Sequence, residues 1–156
     1  MKENYIQHIQ PSQPHDEALW QNYQQLDLIA KQPICWPAGI IITAANPYGQ
    51  IVARRLNHHR HLALMRLLGQ LRWPYQLVWG CALDDSHGEL SCYCPVVEIK
   101  GRRLAQRMRQ LSIYNVDAHS LSLVDCVGQR ACIALGNVQN FWQVQPVRYV
   151  RLARKF

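Results

Sequence analysis

The hydrophobic and polar positions along this chain change period several times, and each change marks an element. Ala18, Leu19 and Tyr23 recur at helical spacing behind the acids Asp16 and Glu17, which favour a helix N-terminus, so a short helix is expected over residues 15–23. Residues 26–30 alternate as a strand. The turn holding Pro33, Pro37 and Gly39 leads to Ile40-Ile41-Ile42-Thr43-Ala44, a β-branched run that reads as a buried strand and as the hairpin partner of the first. Leu56, Leu64, Leu67, Leu68 and Leu71 make residues 51–71 the longest helix. Two strands rich in Val, Tyr and Trp follow, over 75–83 and 90–99. The polar turn at residues 84–89 joins them as an antiparallel pair.

Residues 100–111 read as a helix with Leu104, Met108 and Leu111 inward, and a second helix is expected from an Asp117 N-cap to Val127, stopped by Gly128. Residues 130–135 and 138–144 read as a hairpin about Gly136-Asn137, with Pro146 closing the domain. The expected fold class is α+β: a single domain with a mainly antiparallel sheet of about six strands, covered on one face by three to four helices. An N-terminal arm (1–14) precedes the domain (15–146), and a basic tail (147–156) follows it.

Composition agrees with one globular core. The chain has 156 residues, 49% of them hydrophobic, and no apolar run approaches the roughly 20 residues of a membrane helix. Met1 to Glu17 lack the apolar stretch of a secretory signal, so a soluble cytoplasmic protein is expected, with no membrane partner. Under that expectation the six cysteines are free, mostly buried thiols; Cys92 and Cys94 have the spacing of one strand face rather than of a zinc knuckle. No cofactor and no metal are expected. The run His58, His59 and His61 reads as a solvated helix face, and Asp84 to His87 as a polar hairpin turn.

Charge changes the picture more. Lys and Arg total 17 against 10 acids, giving a net charge of +7, and 13 of the 17 are arginine. The planar guanidinium binds phosphate through two parallel hydrogen bonds and stacks on bases, so this bias points to phosphate or RNA, although a compositional bias would leave the same mark. Lys100, Arg102, Arg103, Arg107 and Arg109 surround one apolar stripe on a single helix and must form a concentrated positive face. Arg54, Arg55 and Arg60 sit on the long helix. The tail adds Arg148, Arg151, Arg154 and Lys155, interleaved with Tyr149 and Phe156 that could stack on bases. RNA, including ribosomal RNA, is the expected partner; a solubilising face with a frayed end is the competing explanation.

A second candidate lies at Thr43-Ala44-Ala45-Asn46-Pro47-Tyr48-Gly49-Gln50, where a strand runs into a helix N-terminus that could seat a small anion. A simple turn and cap would use the same residues. The Ile-Thr-Ala-x-Asn-Pro stretch at 42–47, Asn57, Gly80, Glu89-x-Ser91 and Gly128-Gln129-x-Ala131 together resemble an uncharacterised bacterial family, domain of unknown function 3293, over most of residues 23–144. Ala45 stands where that family has an aromatic residue, and the basic helix 100–110 is an insertion ahead of the Gly-Gln segment. The resemblance carries no established activity. It does imply that Thr43, Asn46, Asn57, Glu89, Ser91 and Gln129 converge as a ligand pocket, with Glu89 as a general base and the amides orienting a carbonyl or nucleobase edge. A nucleotide-processing enzyme is therefore the alternative to RNA binding, and a buried network that merely fixes loops is the alternative to a pocket. A third reading is a partner-binding module anchored by Trp20, Trp36, Trp73, Trp79 or Trp142. Oligomeric state is left open.

Overall fold

The computed structural model describes residues 17–128 and 130–156. The expected arm (1–14), the start of the first helix and Gln129 lie outside the described residues. In chain order the elements are α1 (Glu17–Gln24), β1 (Asp27–Ala30), β2 (Gly39–Thr43), α2 (Arg54–Gln70), β3 (Gln76–Cys81), β4 (Gly88–Cys94), α3 (Glu98–Arg107), β5 (Ser112–Asp117), β6 (Ser120–Asp125), β7 (Ile133–Asn137), β8 (Trp142–Val144) and α4 (Pro146–Lys155). Short 3-10 turns at Pro47–Gly49 and Val138–Asn140 complete the list.

All eight strands form one sheet in the order β7-β6-β5-β2-β4-β3-β1-β8. Every pairing is antiparallel except that of β1 with β8. Side chains alternate across it. Ile40, Ile42, Cys92 and Cys94 meet Leu64, Leu67 and Leu68 of α2 and Leu104 and Ala105 of α3 on one face, and Ile29, Trp79 and Cys81 of the same face meet Tyr149 and Leu152 of α4. On the opposite face Leu28, Ile41, Val78, Tyr93, Val116, Leu121 and Trp142, drawn from strands along the whole sheet, pack on one another. The sheet is therefore curled. In a flat sheet β7 and β8 would lie about 34 Å apart, seven spacings of about 4.8 Å. The chain from Asn137 to Trp142 covers five residue steps, a reach of at most about 18 Å.

The α+β single-domain architecture stands, with eight strands rather than about six and four α-helices among the described residues. Three helices cover one face, but α1 sits against the other, where the Tyr114 hydroxyl donates to the Tyr23 carbonyl at 2.6 Å. Four local expectations are corrected. Residues 112–125 form the hairpin β5–β6, not a helix, because Ala118 and His119 both take left-handed backbone (φ 43° and 75°) and make a two-residue turn. β1 does not pair with β2; its neighbours are β3 and β8. Likewise β7 and β8 do not pair with each other but close opposite ends of the strand order. Pro146 opens α4 rather than ending the domain, its fixed φ suiting the first helical position. The expected tail is that docked helix.

Among the described residues no helix is long and apolar enough to cross a membrane.

Candidate functional site

β2 ends at Thr43, and the chain then turns through Asn46 (φ 47°, ψ 65°), Tyr48 (φ 54°, ψ 29°) and Gly49 (φ 73°), three left-handed residues around Pro47. Glycine suits position 49 because its left-handed backbone (φ 73°) would strain any side chain there. A closed set of hydrogen bonds fixes the turn. Asn46 N–H donates to Asn57 Oδ1 at 2.9 Å, and Asn46 Oδ1 accepts from Asn57 Nδ2 at 3.0 Å and from Val52 N–H at 3.1 Å. Asn46 Nδ2 donates to Glu89 Oε1 at 2.7 Å. Thr43 Oγ1 accepts from Ala45 N–H and donates to the Leu90 carbonyl, both at 3.0 Å. Ser91, opposite Thr43 in the β2–β4 register, donates to the Glu89 carbonyl at 3.3 Å.

Five of the six expected pocket residues thus meet in one place: Thr43, Asn46, Asn57, Glu89 and Ser91. Gln129 lies outside the described residues. Glu89 Oε1 also faces His87 Nε2 at 3.2 Å, and that hydrogen bond raises the imidazole above its ordinary pKa against a smaller opposing effect of burial. Burial pushes the Tyr23 and Tyr114 hydroxyls above the usual phenol value, and the Glu89 charge adds to both. Asn46 and Ser91 are buried, Asn46 bonded to Asn57, Glu89 and the Val52 N–H and Ser91 to the Glu89 carbonyl. Locally, then, the network positions a carboxylate and holds a strained turn.

The cations divide into two groups. Several serve the fold. Arg54 donates to the carbonyls of Ala153 and Arg154 at the end of α4, and Arg60 donates to those of Ala44 and Met108, capping the end of α3. Arg148 bridges Asp27 at 2.9 Å and Asp85 at 2.7 Å, Arg151 reaches Asp85 at 2.9 Å, and Lys155 donates to the Asp85 carbonyl. Tyr149, expected to offer its ring to a base, is buried beneath α4 against Trp79. Phe156 packs on Trp79 as well. The second group is on α3 and just past its end: Lys100, Arg103, Arg107 and Arg109 are exposed and pair with no acid among the described residues. Arg55 and Arg154 are exposed too. Arg102 instead donates to the Asp125 carbonyl at 2.8 Å and lies 3.5 Å from Glu98.

Beside the α3 cations lies a cleft that the sequence did not announce. It has a volume of about 530 Å³ and runs between α3 and the turn at residues 125–128, with Tyr48, Ile99, Arg102, Arg103, Gln106 and Gln110 on its walls. Tyr48 N–H donates to the Arg109 carbonyl at 2.7 Å, tying the strained turn to the end of α3. Gln110, 7% exposed, donates through Nε2 to the Ala45 carbonyl at 2.9 Å, and its Oε1 accepts from no donor among the described residues. The Asp125 carboxylate at the cleft floor accepts from the N–H groups of Val127 at 2.9 Å and Arg130 at 2.5 Å. Tyr48 and Gln110 stand 62 positions apart in sequence. The one local signal was an aromatic residue immediately before a turn glycine.

Other expectations resolve plainly. His58 and His59 are exposed, but His61 is buried, and burial followed by the neighbouring His58 charge lowers its pKa. The helix face is therefore not uniformly solvated. Asp85 is held by arginines, which keep its carboxyl below the usual range, chiefly through the Arg148 hydrogen bond. Among the described residues no three His, Cys, Asp or Glu side chains group as metal ligands. All six cysteines are free; Cys81, Cys92, Cys94 and Cys126 are buried, and burial pushes the last two up to about 12, so they are unreactive. None of the five tryptophans is exposed.

Residues 42–113 match the family described as "Protein of unknown function (DUF3293)". The matched span takes in Thr43, Asn46, Asn57, Glu89 and Ser91 and runs through α3, but stops before the Gly128 segment and α4. No curated protein and no solved structure matches the chain.

Proposed function

Over residues 42–113 the chain belongs to the DUF3293 family, and from that premise we propose that the protein binds RNA, gripping its phosphates with Lys100, Arg103, Arg107 and Arg109. The supporting observation is the division of the cations. Where the fold needs a guanidinium, at Arg54, Arg60 and Arg148, the side chain is committed to carbonyls or carboxylates. The α3 row has no such partner among the described residues, stands in solvent, and is reinforced by the excess positive charge of the whole chain. Uncommitted arginines at this density suit phosphate contacts, which are sequence-independent and release counterions. The C-terminal helix contributes less than its composition suggested, because Arg148 and Tyr149 are occupied.

Fluorescence anisotropy with labelled fragments of total cellular RNA tests this. Affinity is expected to fall steeply with salt, and an Arg103→Gln/Arg107→Gln double variant to lower the log–log salt slope by roughly two. Undetectable binding at low salt, or an unchanged slope in the double variant, overturns the reading.

A second reading, a polar-pocket enzyme acting on a nucleotide, has one observation in its favour: Glu89 is held by Asn46 and paired with His87, an arrangement able to accept a proton. Turnover of a nucleotide by the wild type that Glu89→Gln abolishes without loss of fold supports it; its absence across a panel of nucleotides removes it.

A further inference from the structure

We propose that the cleft between α3 and the 125–128 turn binds a single nucleotide, its base stacked on Tyr48 and hydrogen-bonded to Gln110, with its phosphate on Arg103. The inference rests on the RNA-binding reading only for where that nucleotide comes from. Three features of the cleft point the same way.

First, Tyr48 holds a left-handed backbone that Gly or Asn adopts readily and a bulky aromatic residue rarely does. Its side chain is not kept there by core packing, since the residue is 43% exposed. A strained aromatic residue standing at a cleft wall supplies a π-face that any base can cover. Second, Gln110 is nine-tenths buried, and its amide is oriented by the bond from Nε2 to the Ala45 carbonyl. That leaves Oε1, which accepts from no donor among the described residues, available to an exocyclic amine or ring N–H of a base. Third, Arg103 is exposed and pairs with no acid among the described residues at the same cleft, whereas Arg102 is anchored to the Asp125 carbonyl and so shapes the wall. The Asp125 carboxylate at the floor accepts from backbone N–H groups, while the exposed Arg103 stands on the α3 wall. Exposed Ile99 adds an apolar wall, and the volume falls within the range of small-ligand sites. Aromatic face, oriented amide and free guanidinium are the parts by which proteins hold an unstacked base with its phosphate.

The test compares three probes by anisotropy or calorimetry: an eight-nucleotide single-stranded RNA, an abasic ribose-phosphate strand of equal length, and free nucleoside monophosphates. Each is titrated into the wild type, Tyr48→Gly and Arg103→Gln. Tyr48→Gly suits the left-handed position and is expected to fold; Tyr48→Asn is a second variant with the same property. Wild type is expected to bind the base-bearing strand roughly 5- to 100-fold more tightly than the abasic one, the span expected for one stacked base. Tyr48→Gly should erase that difference while leaving abasic binding unchanged, and Arg103→Gln should weaken both strands. Equal binding of both strands by wild type, with no effect of Tyr48→Gly, overturns the pocket and leaves the RNA reading standing. Tyr48-dependent binding of a free nucleotide with neither strand bound upholds the pocket and ends the RNA reading. No binding of any probe ends both.

Discussion

The side-chain amide of Asn57 grips Asn46 twice, accepting from its backbone N–H at 2.9 Å and donating to its Oδ1 at 3.0 Å. That pair ties the first turn of α2 to the left-handed bend after β2, and the second amide passes the order on to Glu89. Asn57→Ala strands a buried N–H and removes one donor from Asn46 Oδ1, so it should destabilise the protein by about 2 kcal/mol in urea denaturation. A cost under about 0.5 kcal/mol would mean that the turn holds itself.

Arg148 is the pin of the C-terminal helix. It sits between Asp27 of β1 and Asp85 of the β3–β4 turn with all three side chains less than 20% exposed. Arg148→Ala leaves two poorly solvated carboxylates facing each other and should cost about 3 kcal/mol. Arg151 reaches the same Asp85 from a side chain 66% exposed, and Arg151→Ala should cost well under about 1 kcal/mol. Equal thermal shifts in the two variants would contradict this difference.

Two histidines give opposite pH responses. Both ring nitrogens of His61 are buried without a partner among the described residues, and its folded pKa is lowered. The unfolded chain therefore takes up this proton more readily. The stability that neutral His61 permits is full above its unfolded value near 6.5 and is lost as pH falls toward the lower folded value. His61→Leu should flatten the fall in stability between about pH 7 and pH 5, measured by denaturation at each pH. His87 has a raised folded pKa; its contribution is present below about 6.5 and fades as pH rises through the folded value. Being half exposed, it should move the profile less. A steeper acid loss in His61→Leu would refute the assignment.

Close packing of α3 on the sheet depends on Gly101, where an added Cβ would stand 2.9 Å from Ile40 Cγ2 and 3.0 Å from Ile113 Cδ1. Gly101→Ala gains helix propensity but must push α3 off β2 and β5. A net loss of about 1–2 kcal/mol is expected, seen as a lower denaturation midpoint; a gain would show that the helix shifts freely.

The elements most legible in the sequence were those whose pattern is local and strong: the Ile40–Ile42 run of β2, the leucines of α2, and the paired strands β3 and β4. Convergence of Asn46, Asn57 and Glu89 could also be read, because the polar residues fall at element ends. The β5–β6 hairpin was hidden for a physical reason. Ile113 and Val116, then Leu121 and Val124, repeat at three-residue spacing as a helix does, and its turn uses Ala118 and His119 in place of the usual Asn or Gly. Partner choice was equally hidden: nothing local tells β8 to lie parallel to β1 or Arg148 to seek carboxylates 63 and 121 positions away. The cleft suffered likewise, since Tyr48 and Gln110 meet only through the end of α3.

The strand order carries a liability of its own. Consecutive strands β7 and β8 are the two that cover the ends of the sheet, leaving β6 and β1 flanked only once residues 133–144 are in place. A chain cut or stalled before that segment bares both ends together. Each then offers a row of unpaired backbone groups to a neighbouring molecule, so truncated forms should precipitate as intermolecular β-structure rather than persist as smaller folded units.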